Sequence, residues 1–98
     1  MLHAELKVIE GKQQGKSVPL TVKKFLIGRE QDCQLRPNSE LVSRHHCQLK
    51  LQHGAYGFAD LGSRNGSFVN GHQVNEIALG PGDMIRIGST EIEFQVRG

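Results

Sequence analysis

The sequence predicts an all-β protein, folded as an antiparallel β-sandwich of about ten short strands. Apolar and polar residues alternate in several short segments, which is the pattern of strands with one buried and one exposed face. Glycine, proline and asparagine separate these segments at short intervals, as turns do in all-β proteins. No window of a dozen residues carries apolar side chains at helical spacing; residues 74–79 come nearest and are too few.

The first half of the chain opens with two alternating segments, residues 6–8 and 18–22, which predict a hairpin around the polar loop 11–16. Residues 25–27 are a short apolar strand that ends at a glycine. A further short strand is predicted at residues 33–35, because a turn cluster containing a proline follows it directly.

The second half repeats this pattern of short strands and tight turns. Residues 47–52 alternate strictly, and residues 56–61 form the next predicted strand after a turn. The dipeptide Asn70-Gly71 predicts a type I′ turn between two strands, because both central residues of that turn take positive φ. Residues 84–97 predict a final hairpin.

Length and composition are those of one small domain that spans residues 1–98. With 37% hydrophobic and 22% charged residues, a chain of 98 residues can bury a core without disulfides or metal. It has no apolar run of membrane-spanning length and no secretory signal, which predicts a cytoplasmic protein that does not contact membranes. The chain stops directly after its last predicted strand, so we expect the domain to be excised from a longer protein.

Charge and cysteine content narrow the classes of partner and cofactor. A formal net charge of +2 is too small for the concentrated basic face that nucleic acids need, so no nucleic-acid partner is expected. Without an export signal, Cys33 and Cys47 are expected to stay reduced and packed. A zinc site made of these cysteines with His45 and His46 would lack the usual ligand spacing. We expect no metal or cofactor, and a monomer or weak oligomer.

Three polar segments follow apolar runs, and we expect them to meet as loops at one end of the sandwich. They are rich in cationic and hydroxyl groups and poor in carboxylates, which is the chemistry that holds an oxyanion such as phosphate. Each hydrogen bond to a charged group contributes about 1.5–3 kcal/mol. Four or five such bonds must offset an entropic cost of binding of about 4–15 kcal/mol, so we expect binding to be reversible. The candidate ligands are Arg29, Ser43, Arg44, Arg64 and Asn65.

Four motifs, in this order and at these spacings, resemble the signature of the forkhead-associated (FHA) domain. They are Gly28-Arg29, Ser43-Arg44-x-His46, the run GSRNGSFVNG from Gly62 to Gly71, and Leu79-x-x-Gly82-Asp83-x-Ile85-x-Ile87-Gly88. The resemblance covers nearly the whole chain and implies an FHA/SMAD-like sandwich of about eleven strands. It also implies a module of kinase-linked signalling that binds phosphothreonine peptides through its loops, the recognition mode known for FHA domains.

The resemblance also implies a role for each matched residue. Arg29 and Ser43 would bind the phosphate directly, and Arg44 would contact the phosphate or the peptide backbone. Asn65 would hydrogen-bond the peptide main chain next to the phosphothreonine. Structural support would come from Gly28, from His46, whose ring braces the loop of Ser43, and from Asn70, which ties the binding loops together.

Arg64 departs from the family pattern, which often has threonine at this position. Its guanidinium is expected either to join the phosphate or to reach an acidic residue of the peptide. The methyl group of phosphothreonine contributes about 0.8 kcal/mol when it is buried. A pocket reshaped by Arg64 would therefore weaken the preference for phosphothreonine over phosphoserine.

Two alternatives to a phosphopeptide module remain open. A scaffold domain of the same fold would recognise an unphosphorylated partner through a sheet face. A hydrolase would use Ser43 and His46, with Asp60 orienting the imidazole, but no nucleophile elbow or oxyanion loop accompanies these residues. Of the two, the scaffold domain is the stronger alternative, and the hydrolase is the weaker one.

Overall fold

The computed structural model describes residues 3–37 and 39–97, which form two antiparallel sheets packed face to face. Residues 1, 2, 38 and 98 of the predicted domain lie outside the described residues. Within the described ranges the all-β prediction is confirmed, and the strands number ten, one fewer than the resemblance implies. No helix of the described residues is long and apolar enough to cross a membrane.

Most of the strands are short, and they divide unequally between the two sheets. The larger sheet has the order β2-β1-β10-β9-β6-β7, and the smaller has the order β3-β4-β5-β8. Their bounds are β1 His3–Glu10, β2 Ser17–Pro19, β3 Lys24–Ile27, β4 Cys47–Gln52, β5 Ala55–Asp60, β6 Ser67–Val69, β7 His72–Val74, β8 Glu76–Ala78, β9 Met84–Ile87 and β10 Thr90–Arg97.

The core lies between the sheets, where the inward side chains of alternating strands meet. On the larger sheet, Leu6 of β1 pairs across the ladder with Phe94 of β10, and both side chains are buried. On the smaller sheet, Leu49 of β4 pairs with Phe58 of β5 in the same way. The alternation of apolar and polar residues in the sequence therefore predicts which side chains of these strands are buried.

Two local predictions have different outcomes. Asn70 (φ 52°) and Gly71 (φ 84°) join β6 to β7, so the type I′ turn is confirmed. The predicted strand at residues 33–35 is wrong, because only Leu35 forms an isolated bridge, to Ile27. The amide of Cys33 is used in a turn, where it donates to the carbonyl of Glu30 at 3.1 Å, so it cannot join a ladder.

Strand register brings the connecting segments of the smaller sheet to one end. Ile27, the last residue of β3, pairs with Cys47, the first residue of β4, and Cys47 also pairs with Asp60, the last residue of β5. The residues just beyond these three positions must therefore emerge at the same edge. They are the polar segments that the sequence singled out.

Candidate anion-binding site

Three loops form this end of the sandwich: a first loop (28–33) after β3, a second loop (41–46) before β4, and a third loop (61–66) between β5 and β6. The first and second loops run side by side and are joined by backbone hydrogen bonds. The amide of Arg29 donates to the carbonyl of Ser43 at 3.1 Å, and the amide of Glu30 donates to Arg44 at 3.1 Å. The loops expected to meet do so.

Gly28 allows the close approach of the first two loops. A Cβ atom placed on Gly28 would lie 2.1 Å from the carbonyl oxygen of Arg44, a separation that real Cβ atoms do not adopt. The neighbour is backbone, so it cannot rotate away. Any side chain at position 28 would push the loop that carries Arg29 away from the loop that carries Ser43.

His46 connects the second loop to the third, and its side chain is fully buried. Its Nδ1 accepts a hydrogen bond of 3.1 Å from the amide of Ser43. Because Nδ1 is an acceptor, the neutral ring carries its proton on Nε2, which donates to the carbonyl of Gly66 at 2.9 Å. One imidazole therefore fixes the backbone of two loops.

Asp60 organises the third loop, a role that the sequence reasoning missed. Its carboxylate accepts hydrogen bonds from the hydroxyls of Ser63 and Ser67, both at 2.6 Å, and from the amides of Gly62 and Ser63. Partial burial acts to raise the pKa of Asp60, but the hydrogen bonds from Ser63 and Ser67 outweigh it and hold this pKa below its usual value. The signal was an aspartate two residues before a glycine and three before a serine, since an aspartate side chain in such a turn accepts from the backbone amide two residues on.

Arg29 and Ser43, the two residues expected to bind an anion directly, are held in place by hydrogen bonds to the backbone of neighbouring loop residues. The Nε of Arg29 donates to the carbonyl of Val42 at 2.5 Å. The Oγ of Ser43 accepts from the amide of Arg64 at 3.0 Å, which leaves the hydroxyl proton free to donate. The terminal amino groups of the guanidinium and the Ser43 hydroxyl are therefore donors that an anion can use.

The other three expected site residues lie around this pair, and all three are exposed. The side-chain amide of Asn65 donates to the carbonyl of Leu41 at 2.9 Å, which joins the third loop to the second. Among residues 3–37 and 39–97, none of the arginines 29, 44 and 64 forms an ion pair with a carboxylate. The carboxylates of these loops, Glu30 and Asp32, pair with none of the three arginines, which leaves the guanidinium groups available to an anion.

Asn70 lies outside the three loops and supports a different junction. Its Nδ2 donates to the carboxylate of Asp83 at 3.1 Å, and its Oδ1 accepts from the amide of Met84 at 2.9 Å. These contacts join the β6–β7 turn to the start of β9. The bonds therefore support the larger sheet and do not reach the loops that carry Arg29 and Ser43.

The residues of the alternative sites have other partners. His46 faces the backbone amide of Ser43 and not its hydroxyl, so the two do not form a nucleophile–base pair. Both cysteines are buried and unbridged, and burial raises the pKa of Cys33 and, more strongly, of Cys47. His45 pairs with Asp32 at 2.9 Å, and this hydrogen bond lowers the pKa of the carboxyl group.

Comparison with known proteins identifies the family to which the chain is similar. The family model of the FHA domain matches residues 25–88, which include all three loops. FhaA, an FHA domain-containing protein of Mycobacterium tuberculosis, is 40% identical over 78 residues, which is 80% of this chain and 15% of FhaA. The chain thus spans a small part of this relative.

Solved structures of FHA domains superpose on nearly the whole fold. One, from work on phosphothreonine-dependent FHA domain interactions, is 34% identical with a TM-score of 0.89 and covers 98% of both chains. Another is Mycobacterium tuberculosis EmbR in complex with a low affinity phosphopeptide, 34% identical with a TM-score of 0.88 over 95% of this chain and 24% of EmbR. With its sandwich, its three loops and these likenesses, the chain belongs to the FHA domain family.

Proposed function

We propose that this domain recognises phosphothreonine in a partner protein or peptide, as part of kinase-linked signalling. The observation that carries the proposal is the pair Arg29 and Ser43, held side by side by the bond between their backbones with donors free to take an anion. The relatives support it, because structures of similar FHA domains come from phosphothreonine-dependent interactions and from a phosphopeptide complex.

In this proposal each candidate site residue has the role that the resemblance to FHA domains implies for it. Arg29 and Ser43 bind the phosphate, Arg44 contacts the phosphate or the peptide backbone, and Arg64 either joins the phosphate or reaches an acidic residue of the peptide. Asn65 uses its carbonyl oxygen for the peptide main chain while its amino group holds Leu41. The domain acts by binding, and none of these residues is assigned a catalytic step.

Gly28 and His46 act through the backbone in this proposal. Gly28 sets the distance between the first two loops, and His46 fixes the second loop against the third. Binding geometry that is set before the ligand arrives reduces the entropy that binding must offset. Affinity is then expected to depend on these two buried positions as well as on the exposed ligands.

The test is binding to degenerate peptide libraries that contain phosphothreonine, phosphoserine or unphosphorylated threonine, with wild type and Arg29→Ala. We expect phosphate-dependent binding that Arg29→Ala removes. Loss of the Val42 contact destabilises this variant by about 1 kcal/mol, so its folding is checked separately. Equal binding of phosphorylated and unphosphorylated libraries would instead support a scaffold that uses a sheet face.

A further inference from the structure

An open groove of about 540 Å³ lies beside Arg29, between the β1–β2 loop and the chain after β3. Lys16 comes from the β1–β2 loop, Arg36 from the opposite wall, and Arg29 from the first site loop. Glu40 also lines the groove. Arg29 therefore belongs both to the anion-binding loops and to this second depression.

The charges in the groove favour an anionic occupant. Three cationic side chains, Lys16, Arg29 and Arg36, line the groove with a single carboxylate, that of Glu40, and Lys16 and Arg36 remain available when Arg29 binds the phosphothreonine. Within residues 3–37 and 39–97, none of these four side chains forms an ion pair. The formal charge of these four residues, +2, equals the formal net charge of the whole chain, so the charges of all other residues sum to zero and the excess positive charge lies in this groove.

The two walls of the groove are held by hydrogen bonds. The backbone of Lys16 is fixed on both sides, because its amide donates to Gln13 at 3.0 Å and its carbonyl accepts from Val8 at 2.8 Å. The side-chain amide of Gln13 reaches across to the carbonyl of Arg36 at 3.4 Å. The cations therefore project from a supported frame and need little backbone ordering when a ligand binds.

We propose that this groove binds a second anionic side chain of the same phosphothreonine peptide, either another phosphate or a carboxylate. This inference rests on the proposed function, since Arg29 places the groove next to the phosphothreonine site. A peptide bound at Arg29 brings its neighbouring residues past the groove, and the binding of the second group is then intramolecular. Lys16 and Arg36 select peptides that carry such a group.

The experiment compares three peptides that share one phosphothreonine: one otherwise neutral, one with a second phosphorylated residue, and one with glutamate at that place. The second anion is moved along the peptide in both directions. Affinities are measured by fluorescence anisotropy for wild type, for Lys16→Gln/Arg36→Gln, and for the control Lys12→Gln/Lys50→Gln. The control removes the same charge from residues that do not line the groove.

At its best position, the second anion is expected to tighten wild-type binding by about three- to tenfold, the gain that two exposed ion pairs provide. Lys16→Gln/Arg36→Gln should lose this gain and keep the affinity for the neutral phosphothreonine peptide, while the control keeps both. A second phosphate is distinguished from a carboxylate by its pH dependence. Below about pH 6 phosphate takes up a proton, so the increase in affinity that a second phosphate provides becomes smaller.

The failure of this inference is distinguishable from the failure of the proposed function. If wild type binds all three peptides equally but does not bind their counterparts with unphosphorylated threonine, the groove proposal is wrong and the phosphothreonine site stands. A gain that persists in Lys16→Gln/Arg36→Gln would place the second anion elsewhere and also overturn the groove proposal. If no peptide binds through its phosphate, both proposals fail.

Discussion

His46 connects two loops of the site through the two nitrogens of one buried ring. The sequence supplied the expectation that this residue braces the loop of Ser43, through the resemblance to FHA domains. It could not supply the partner Gly66, which lies twenty positions along the chain and is brought close only by folding. A histidine that is neutral and bonded on both sides is a rigid spacer between backbones.

We predict that His46→Ala lowers the free energy of unfolding by about 2–4 kcal/mol, because it empties a buried volume and leaves two backbone groups unpaired. Chemical denaturation measures this change. His72→Ala, at an exposed position on β7, is the control and should stay within about 0.5 kcal/mol of wild type. Equal stabilities of the two variants would contradict the bracing role.

Asp60 was missed by the sequence reasoning except as an orienting group for a catalytic histidine, a role that its contacts do not serve. Its lowered pKa has a defined sign for stability. The folded state disfavours the protonated carboxyl, so the unfolded state binds more protons at acidic pH. Stability from Asp60 is therefore present above its unfolded pKa of about 3.9 and is lost as the pH falls through the lower folded value.

Asp60→Asn should lower the free energy of unfolding by about 1–2 kcal/mol at neutral pH, because an amide oxygen accepts fewer of the four hydrogen bonds. The loss is no larger because the site is partly exposed and solvent screens its charge. Denaturation curves at several pH values test this. The difference between wild type and Asp60→Asn is expected to shrink as the pH drops below about 4. A difference that does not depend on pH would show that the charge of Asp60 is not the cause.

At the scale of elements, short alternating strands and Asn-Gly turns were predictable because both depend on nearby residues. The β6–β7 hairpin is an example, since two adjacent residues determine its turn. The segment at residues 33–35 was mispredicted because its apolar ends resemble a strand, whereas its amides bond locally and across to β3. Local patterns report which face of a strand is buried, but they do not report whether a ladder partner is available.

The approach of the first and second loops predicts a strong effect of Gly28→Ala. Its new Cβ would meet the backbone oxygen of Arg44, so one loop must move. We expect loss of most phosphopeptide binding and a lower melting temperature in a thermal unfolding experiment. Gly80→Ala is the matched control, because its Cβ would meet only the Asp83 side chain at 3.9 Å. Wild-type affinity in Gly28→Ala would contradict this account of the loop spacing.

At the scale of the whole molecule, the sandwich gathers at one end side chains that lie up to thirty-six positions apart in the sequence, from Arg29 to Asn65. The register of β3, β4 and β5 does this, and the core holds the register. The candidate site residues were nameable because their types suit phosphate and match a family motif. Their contacts with Val42, Leu41 and Gly66 required the fold.

The exposed cations of the site predict binding that is sensitive to salt and pH. Raising ionic strength from about 0.05 to 0.5 M shortens the screening length and should weaken phosphopeptide binding several-fold. Lowering the pH below about 6 protonates the phosphate dianion and should weaken it further. Calorimetric titrations across both ranges test this, with the unphosphorylated peptide as the control. Affinity that is insensitive to both variables would point to an apolar interface.

Recognition through the loops is tested most directly by an NMR titration of the labelled domain with a phosphothreonine peptide selected from the library. We predict that the largest amide shift changes fall on the three loops, at residues 28–33, 41–46 and 61–66, and that they disappear in Arg29→Ala. The contrary result is a set of changes on the outer face of the smaller sheet, around Lys50, Ala59 and Glu76, which Arg29→Ala leaves intact. That result would assign recognition to the sheet and not to the loops.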